Sequence, residues 1–209
     1  MRQNEYKTDQ EKFWAGEFGT EYISRNQDHQ LLASNLKFLS TALDTVPALS
    51  SCIEFGANIG MNLKALRLLY PSILLSAIEI NEAAVQELCL TVKDDRIFRG
   101  SILDFSSNEC WDLVLIKGVL IHIAPSELCA VYEKLVSATR LYLLVAEYYN
   151  PVPVALPYRG HHDRLFKRDF AGEILDKFPM MSLRSYGFGY HRDPSFPQDD
   201  INWFLLERK

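Results

Sequence analysis

Ser51-Cys52-Ile53-Glu54-Phe55-Gly56-Ala57-Asn58-Ile59-Gly60 decides how this chain is read. An apolar run carries an acid, two glycines bracket an asparagine, and an amphipathic run with Leu63, Leu66 and Leu69 starts where the glycines stop. Strand, tight turn and helix in that order bring backbone N–H groups up against a ligand, as in a nucleotide-like cradle. The spacing narrows which ligand. A dinucleotide fingerprint counted from Gly56 needs glycines at 58 and 61, but Asn58 and Met61 stand there, and Met61 would hold the helix off the strand. No Gly-Lys-Ser or Gly-Lys-Thr follows, which disfavours a mononucleotide phosphate loop.

Outward from this stretch, strand-like runs recur at 52–55, 73–80, 96–98, 113–116 and 141–145. Runs of helical period lie between them at 61–70, 82–92 and 126–138. That alternation predicts an α/β fold, a parallel sheet covered by helices on both faces. Pro71 ends the first of these helices, and Ser126 is the expected N-cap of the third. Before residue 46 two helices are expected, an aromatic one around 13–22 and a longer one carrying Leu31, Leu32, Leu36, Leu39 and Leu43. The proline-rich 151–157 segment reads as a surface connector, unsuited to a helix or a central strand. A helix near 168–178 and two strands, 182–188 and 202–207, follow; their short link favours an antiparallel pair at the sheet edge. The expected organisation is a single domain over 1–209. Residues 1–46 form a lid or flank, 50–150 a cofactor-binding core, and 151–209 an acceptor-side loop, helix and hairpin.

With 209 residues, 48% of them hydrophobic and 23% charged, the chain has the makings of an ordinary core. A net charge of −5 argues against a dedicated nucleic-acid binder. Cys52, Cys89, Cys110 and Cys129 are scattered, with no C-x-x-C pair, and read as reduced cytoplasmic thiols. The polar start has no signal-peptide core, and no apolar stretch is long enough for a membrane span. A soluble cytoplasmic protein is expected, with no membrane or nucleic-acid partner.

The segment Glu54-Phe55-Gly56-Ala57-Asn58-Ile59-Gly60 resembles the first motif of the class I S-adenosylmethionine-dependent methyltransferases. Asn58 replaces the middle glycine, a mild departure because asparagine tolerates left-handed backbone. Three further segments match in order. The 74–80 strand brings Glu79 to its tip nineteen residues after Gly60, where a carboxylate accepts both ribose hydroxyls; the bland alternative is a helix cap or a solvated acid. Gly100-Ser101-Ile102-Leu103-Asp104 follows the third strand. The family often has an acid after this glycine to take the adenine amino group, so that contact passes to Ser101 or Asp104, with Ile102 on the ring; Asp104 reads equally well as a surface turn residue. Trp111-Asp112 opens a fourth strand that ends in a loop at Lys117-Gly118, and His122 follows, either near the chemistry or packed to fix the loop.

The block Phe13-Trp14-Ala15-Gly16-Glu17-Phe18-Gly19-Thr20-Glu21-Tyr22-Ile23-Ser24-Arg25-Asn26 resembles methyltransferases associated with pseudaminic acid biosynthesis, as do Arg159-Gly160 and 165–170. The resemblance implies a Rossmann-like, mostly parallel seven-stranded sheet with only the last strand reversed. It implies S-adenosylmethionine as cofactor, held by Trp14, Tyr22, Arg25, Glu54, Gly56, Ala57, Asn58, Gly60, Glu79, Ile80, Ser101, Ile102, Lys117 and Gly118. A hydroxyl acceptor needs a base, for which His122, Glu147, His161 and His162 are candidates. His161-His162-Asp163 also raises a metal reading, which adjacent histidines and the oxygen preference of magnesium disfavour. Tyr148, Arg159, Arg164 and Lys167 are expected to hold the acceptor, an acidic or nucleotide-linked sugar, although Asp163, Asp169 and Glu173 balance these cations equally well on a solvated face. The expected function is methyl transfer to such a sugar in surface-glycan metabolism. The alternatives are an N- or O-methyltransferase for another small molecule, or a catalytically silent cofactor-binding module.

Overall fold

The computed structural model describes residues 6–23, 28–158 and 161–209, and only the backbone of 161–164. Five strands, β1 (Ser51–Phe55), β2 (Leu74–Glu79), β3 (Ile97–Arg99), β4 (Trp111–Lys117) and β5 (Thr139–Glu147), run parallel. A carboxy-terminal pair, β8 (Met181–Gly189) and β9 (Ile201–Arg208), completes a seven-stranded sheet of order β3-β2-β1-β4-β5-β9-β8. Strand β9 is antiparallel to both neighbours, so it alone is reversed, as the sequence reading expected.

Alternation along the strands builds two cores. Cys52, Leu75, Leu113, Leu115, Leu144 and Leu205 face one side. There they meet α3 (His29–Ala42), α4 (Met61–Leu69) and α5 (Glu82–Leu88) through Leu39, Leu63, Leu66 and Leu88. Ile53, Phe55, Ile78, Val114, Ile116 and Val145 face the other, under α6 (Leu128–Ala138) and α7 (Phe170–Lys177). Both faces being covered, the strands read as near-continuous apolar runs, which is why they were visible in sequence. Chain order reverses at β1, flanked by β2 and β4, and this opens a crevice at the carboxyl ends of the strands.

Three expectations are corrected. The aromatic block is two short helices, α1 (Asp9–Ala15) and α2 (Glu17–Ile23), making three before β1 rather than two; Gly16 takes extended backbone between them, and a Thr8/Glu11 capping box starts the first. The cap of α6 is Glu127, one residue after Ser126. The proline connector is not all loop. Residues Val154–Tyr158 form β6, which pairs antiparallel with β7 (His161–Lys167) in a separate two-stranded sheet. A register shift between Leu156 and Tyr158 absorbs Pro157, whose missing N–H is harmless at such an irregularity. This hairpin packs against the 3-10 turn Leu120–His122.

Candidate functional site

The turn after β1 is left-handed at three alternate residues: Gly56 (φ 76°), Asn58 (φ 48°) and Gly60 (φ 78°). Gly56 and Ala57 donate their amides to the Ile78 carbonyl at 2.9 and 3.0 Å, which ties the turn to β2. A Cβ at Gly56 would lie 2.6 Å from Cγ2 of Val119, so glycine is needed both for its backbone angle and for the approach of the β4 loop. The Asn58 amide donates to Oε2 of Glu79 at 2.7 Å, and the Asn81 amide to Oε1 at 2.7 Å. Glu79 is thus held rigidly at the cavity wall with acceptor capacity left over, and burial raises its pKa. Glu54 sits underneath: it does not line the cavity, Asn62 Nδ2 donates to its Oε1 at 2.6 Å, and burial pushes its pKa up to about 8.

Around this corner lies a cavity of about 760 Å³. Ala57, Asn58, Glu79, Ile80, Ser101, Ile102, Lys117 and Gly118 line it; Gly60 does not, its role being the turn itself. A Cβ at Gly118 (φ 67°) would meet nothing within 4 Å, so the chain is open to the cavity there. The Lys117 side chain is half-buried, with Nζ 3.4 Å from Asn35 Oδ1 and over the Phe38 ring, and desolvation lowers its pKa. Ser101 Oγ accepts from the Leu103 amide at 3.0 Å, while Asp104 pairs with Lys7 at 2.6 Å outside the cavity. Asp112 belongs to the opposite end of the sheet, bound to Arg140 at 2.7 Å.

The amino-terminal helices form the roof. The Trp14 ring packs against Phe18, Tyr22 and His122 at 5.4, 5.4 and 4.7 Å between centroids, and His122 against Tyr158 at 5.0 Å. Trp14, Tyr22, His122 and Tyr158 all face the cavity. Asn81, which sequence reasoning missed, ties the roof down. Its Oδ1 caps α5 through the Ala84 amide at 3.1 Å, and its Nδ2 donates to the Trp14 and Gly16 carbonyls and to Thr20 at 3.1, 3.3 and 3.2 Å. An Asn after a strand reads as an ordinary helix cap, and nothing local signals the second task.

The far wall comes from the loop between β8 and β9, which in sequence reads only as the short link of the strand pair. His191, Gln198 and Asp199 line the cavity with Tyr148, and Gln198 Nε2 bonds Asn35 Oδ1 at 2.9 Å. Burial, and then Asp199 beside it, raises the pKa of the Tyr148 phenol. Glu147 turns away from the cavity. Its Oε1 accepts from the amides of Val119 and Leu120 at 2.9 and 2.8 Å, its Oε2 from Ile121 at 3.5 Å, and burial pushes its pKa up to about 7. This one of the four candidate bases fastens the loop, its oxygens accepting from backbone amides. Lys167 sits over the Tyr148 ring at 5.0 Å without lining the cavity, and Arg168 is paired with Glu173 at 2.6 Å. Arg25 and Arg159, and the side chains of His161, His162 and Arg164, lie outside the described residues.

Buried side-chain oxygens without a partner gather here. Six are orphaned among the described residues; Glu11 Oε1, Ser34 Oγ, Asn58 Oδ1 and Asn62 Oδ1 belong to residues that line this cavity, while Glu54 Oε2 and Ser185 Oγ do not. Buried acceptors left unpaired are costly, so their concentration marks a site built for a donor-rich ligand. No group of three or more His, Cys, Asp or Glu among the described residues could hold a metal ion. No described helix is long and apolar enough to cross a membrane.

No protein-family model matches this sequence, and no curated protein matches it by sequence. Solved structures do. The chain is similar to an S-adenosylmethionine-dependent methyltransferase of Leishmania major, with TM-score 0.70, 14% identity, and coverage of 96% of this chain and 81% of that one. It is similar to the magnesium protoporphyrin IX methyltransferase of Synechocystis with bound S-adenosylmethionine, with TM-score 0.66, 17% identity, and coverage of 99% and 100%. The mitomycin 7-O-methyltransferase aligns with TM-score 0.67 and 13% identity over 97% of this chain, which spans 61% of that longer one. Strand order, the single reversed strand and these likenesses agree: the chain has the Rossmann-like fold of the class I S-adenosylmethionine-dependent methyltransferases.

Proposed function

We propose that this protein is an S-adenosylmethionine-dependent methyltransferase acting on a small, acidic, sugar-like acceptor. One observation carries the cofactor reading: Glu79 is fixed by the Asn58 and Asn81 amides at the rim of a glycine turn, facing the cavity with lone pairs to spare. The residues fit that cofactor. About 760 Å³ suits a nucleoside-sized ligand beside a small acceptor. The orphaned oxygens of Ser34, Asn58 and Asn62 are acceptors, matching a ligand that presents an ammonium and hydroxyl donors. Glu79 would take the ribose hydroxyls, and Ile80 and Ile102 would sandwich the base. Trp14 and Tyr22 would cover the site and exclude water.

When bound, the cofactor supplies a methyl group already activated by its sulfonium. What remains for the protein is alignment of the acceptor and removal of its proton. His122, between Trp14 and Tyr158 on the cavity wall, is the side chain we assign to hold that proton at its ring nitrogen. The acidic-sugar reading draws on the resemblance of residues 13–26, 159–160 and 165–170 to the pseudaminic acid-associated group, with Arg159, Arg164, Lys167 and Tyr148 as acceptor contacts. Asp199 favours a second reading: a carboxylate beside Tyr148 on the cavity wall suits an amine or neutral acceptor, as in a methyltransferase outside glycan metabolism.

Calorimetry with S-adenosylhomocysteine, then turnover with acidic sugars, nucleotide-linked sugars and amines, tests this. Binding, product from an acidic sugar, and an Arg159→Ala variant that loses acceptor but not cofactor affinity are expected. Product from amines alone moves the assignment to the second reading. Tight binding without product from any acceptor indicates a silent module, and no rise in melting temperature with S-adenosylmethionine overturns the cofactor itself.

A further inference from the structure

The adenine base brings an exocyclic amino group that must find an acceptor. Ser101 Oγ already accepts from the Leu103 amide and keeps one lone pair, but a hydroxyl, donor as well as acceptor, does not tell an amino group from a carbonyl, and Asp104 points out to Lys7. A third acceptor lies above them. Helix α1 crosses the nucleoside end of the cavity: Lys7, just before it, is pinned to Asp104 at 2.6 Å, and the Trp14 carbonyl at its far end is pinned to Asn81, two residues past Glu79. Thr8, Glu11 and Trp14, spaced three apart, share the helix face that lines the cavity. Glu11 is only 7% exposed. Its Oε2 is consumed by the capping box, accepting from the Thr8 amide at 2.7 Å and Thr8 Oγ1 at 3.0 Å, while its Oε1 is buried without a partner.

We propose that Glu11 Oε1 accepts the hydrogen bond from the adenine amino group, so that the roof helix, and not the sheet, reads the identity of the base. This rests on the reading of the cavity as an S-adenosylmethionine site. A carboxylate acceptor has no donor of its own, so it welcomes an amino group and repels the carbonyl oxygen that hypoxanthine carries in the same place. The capping box gives the arrangement its rigidity, since the atom that fastens the helix and the atom that meets the base belong to one carboxylate.

The test is calorimetric titration of the full chain with S-adenosylhomocysteine and with S-inosylhomocysteine, its 6-oxo counterpart. Wild type is expected to prefer the adenosyl ligand by about 10- to 100-fold, the range of one hydrogen bond to a charged group. In Glu11→Gln the ratio is expected to collapse toward parity, because the side-chain amide presents either a donor or an acceptor. Thr8→Ala loosens the helix without removing Oε1 and is expected to weaken both ligands while keeping their ratio. An unchanged ratio in Glu11→Gln overturns the assignment. So does a collapse in Glu127→Gln instead, since Glu127 also lines the cavity. A wild type that binds neither ligand overturns the cofactor reading, and this assignment with it.

Discussion

The floor of the cavity and its roof are built on different principles. The floor consists of strand tips: Gly56 to Gly60 after β1, Glu79 after β2, Ser101 to Leu103 after β3, and Lys117-Gly118 after β4. Neighbouring strands hold each of them, and buried apolar runs hold those strands. The roof comes from three places far apart in sequence: α1 and α2, the β6–β7 hairpin with the turn beneath it, and the loop joining β8 to β9. It is held by aromatic edges and a few side-chain hydrogen bonds, above all those of Asn81. The floor is therefore the more rigid part and, on the proposed reading, fixes the donor. The roof, held by fewer contacts, is the part expected to open for an acceptor.

The strongest blow to the floor is Gly56→Ala. A side chain there combines left-handed strain with a 2.6 Å approach to Val119, and a loss of about 3 kcal/mol in urea unfolding is expected. If stability is unmoved, the turn is not a rigid element. Next, Glu79→Ala removes the acceptor for two amides and, on the proposed reading, for the ribose. S-adenosylhomocysteine affinity should fall about 100-fold by calorimetry.

Buried acids beneath both regions set a pH dependence. The pKa values of Glu54 and Glu147 are raised, to about 8 and about 7, so the folded state holds protons that the unfolded state releases above the ordinary glutamate range of about 4.3. Their stabilisation is complete below that range and is lost as pH climbs through 7 and then 8. The free energy of unfolding should therefore fall between pH 5 and pH 8, by up to about 1.4 kcal/mol per pH unit for each group, and the melting temperature with it. Glu54→Gln and Glu147→Gln should each flatten the profile, and a profile untouched by both would refute it.

Smaller effects separate roof from floor. Asn81→Ser keeps a capping oxygen for α5 and removes the amide that holds α1 and α2. Hydrogen exchange should quicken across 8–23 but not across 51–79, with about 10-fold weaker cofactor binding. Acceleration spread over both regions would mean that they form one cooperative unit. Lys7→Ala breaks a pair that is 55% exposed on each side and should leave the melting temperature unchanged.

The floor was legible in sequence because its signals are local. Two glycines around Asn58, an acid ending an apolar run, and proline after a helix each constrain the backbone where they stand. The roof was legible only as composition. Trp14, Phe18 and Tyr22 announced an aromatic cover, but not that Gly16 would split it into two helices or that Asn81 would hold it. Glu147 looked like a base because it ends a strand at the right place; only the fold shows three amides of the following loop converging on it. The β8–β9 loop gave no hint of belonging to the cavity, since Gln198 and Asp199 arrive there through a partner on α3, 163 residues away.

By itself, then, the sequence determined the alternating architecture, the glycine turn and the acid at the tip of β2, because hydrophobic period and backbone permissiveness act within a few residues. Only the tertiary structure decided which carboxylates face the cavity and which are spent on backbone, and that the roof is pinned at Asn81. Those outcomes depend on which distant groups compete for each acceptor, and that competition is settled only once the chain has folded back on itself.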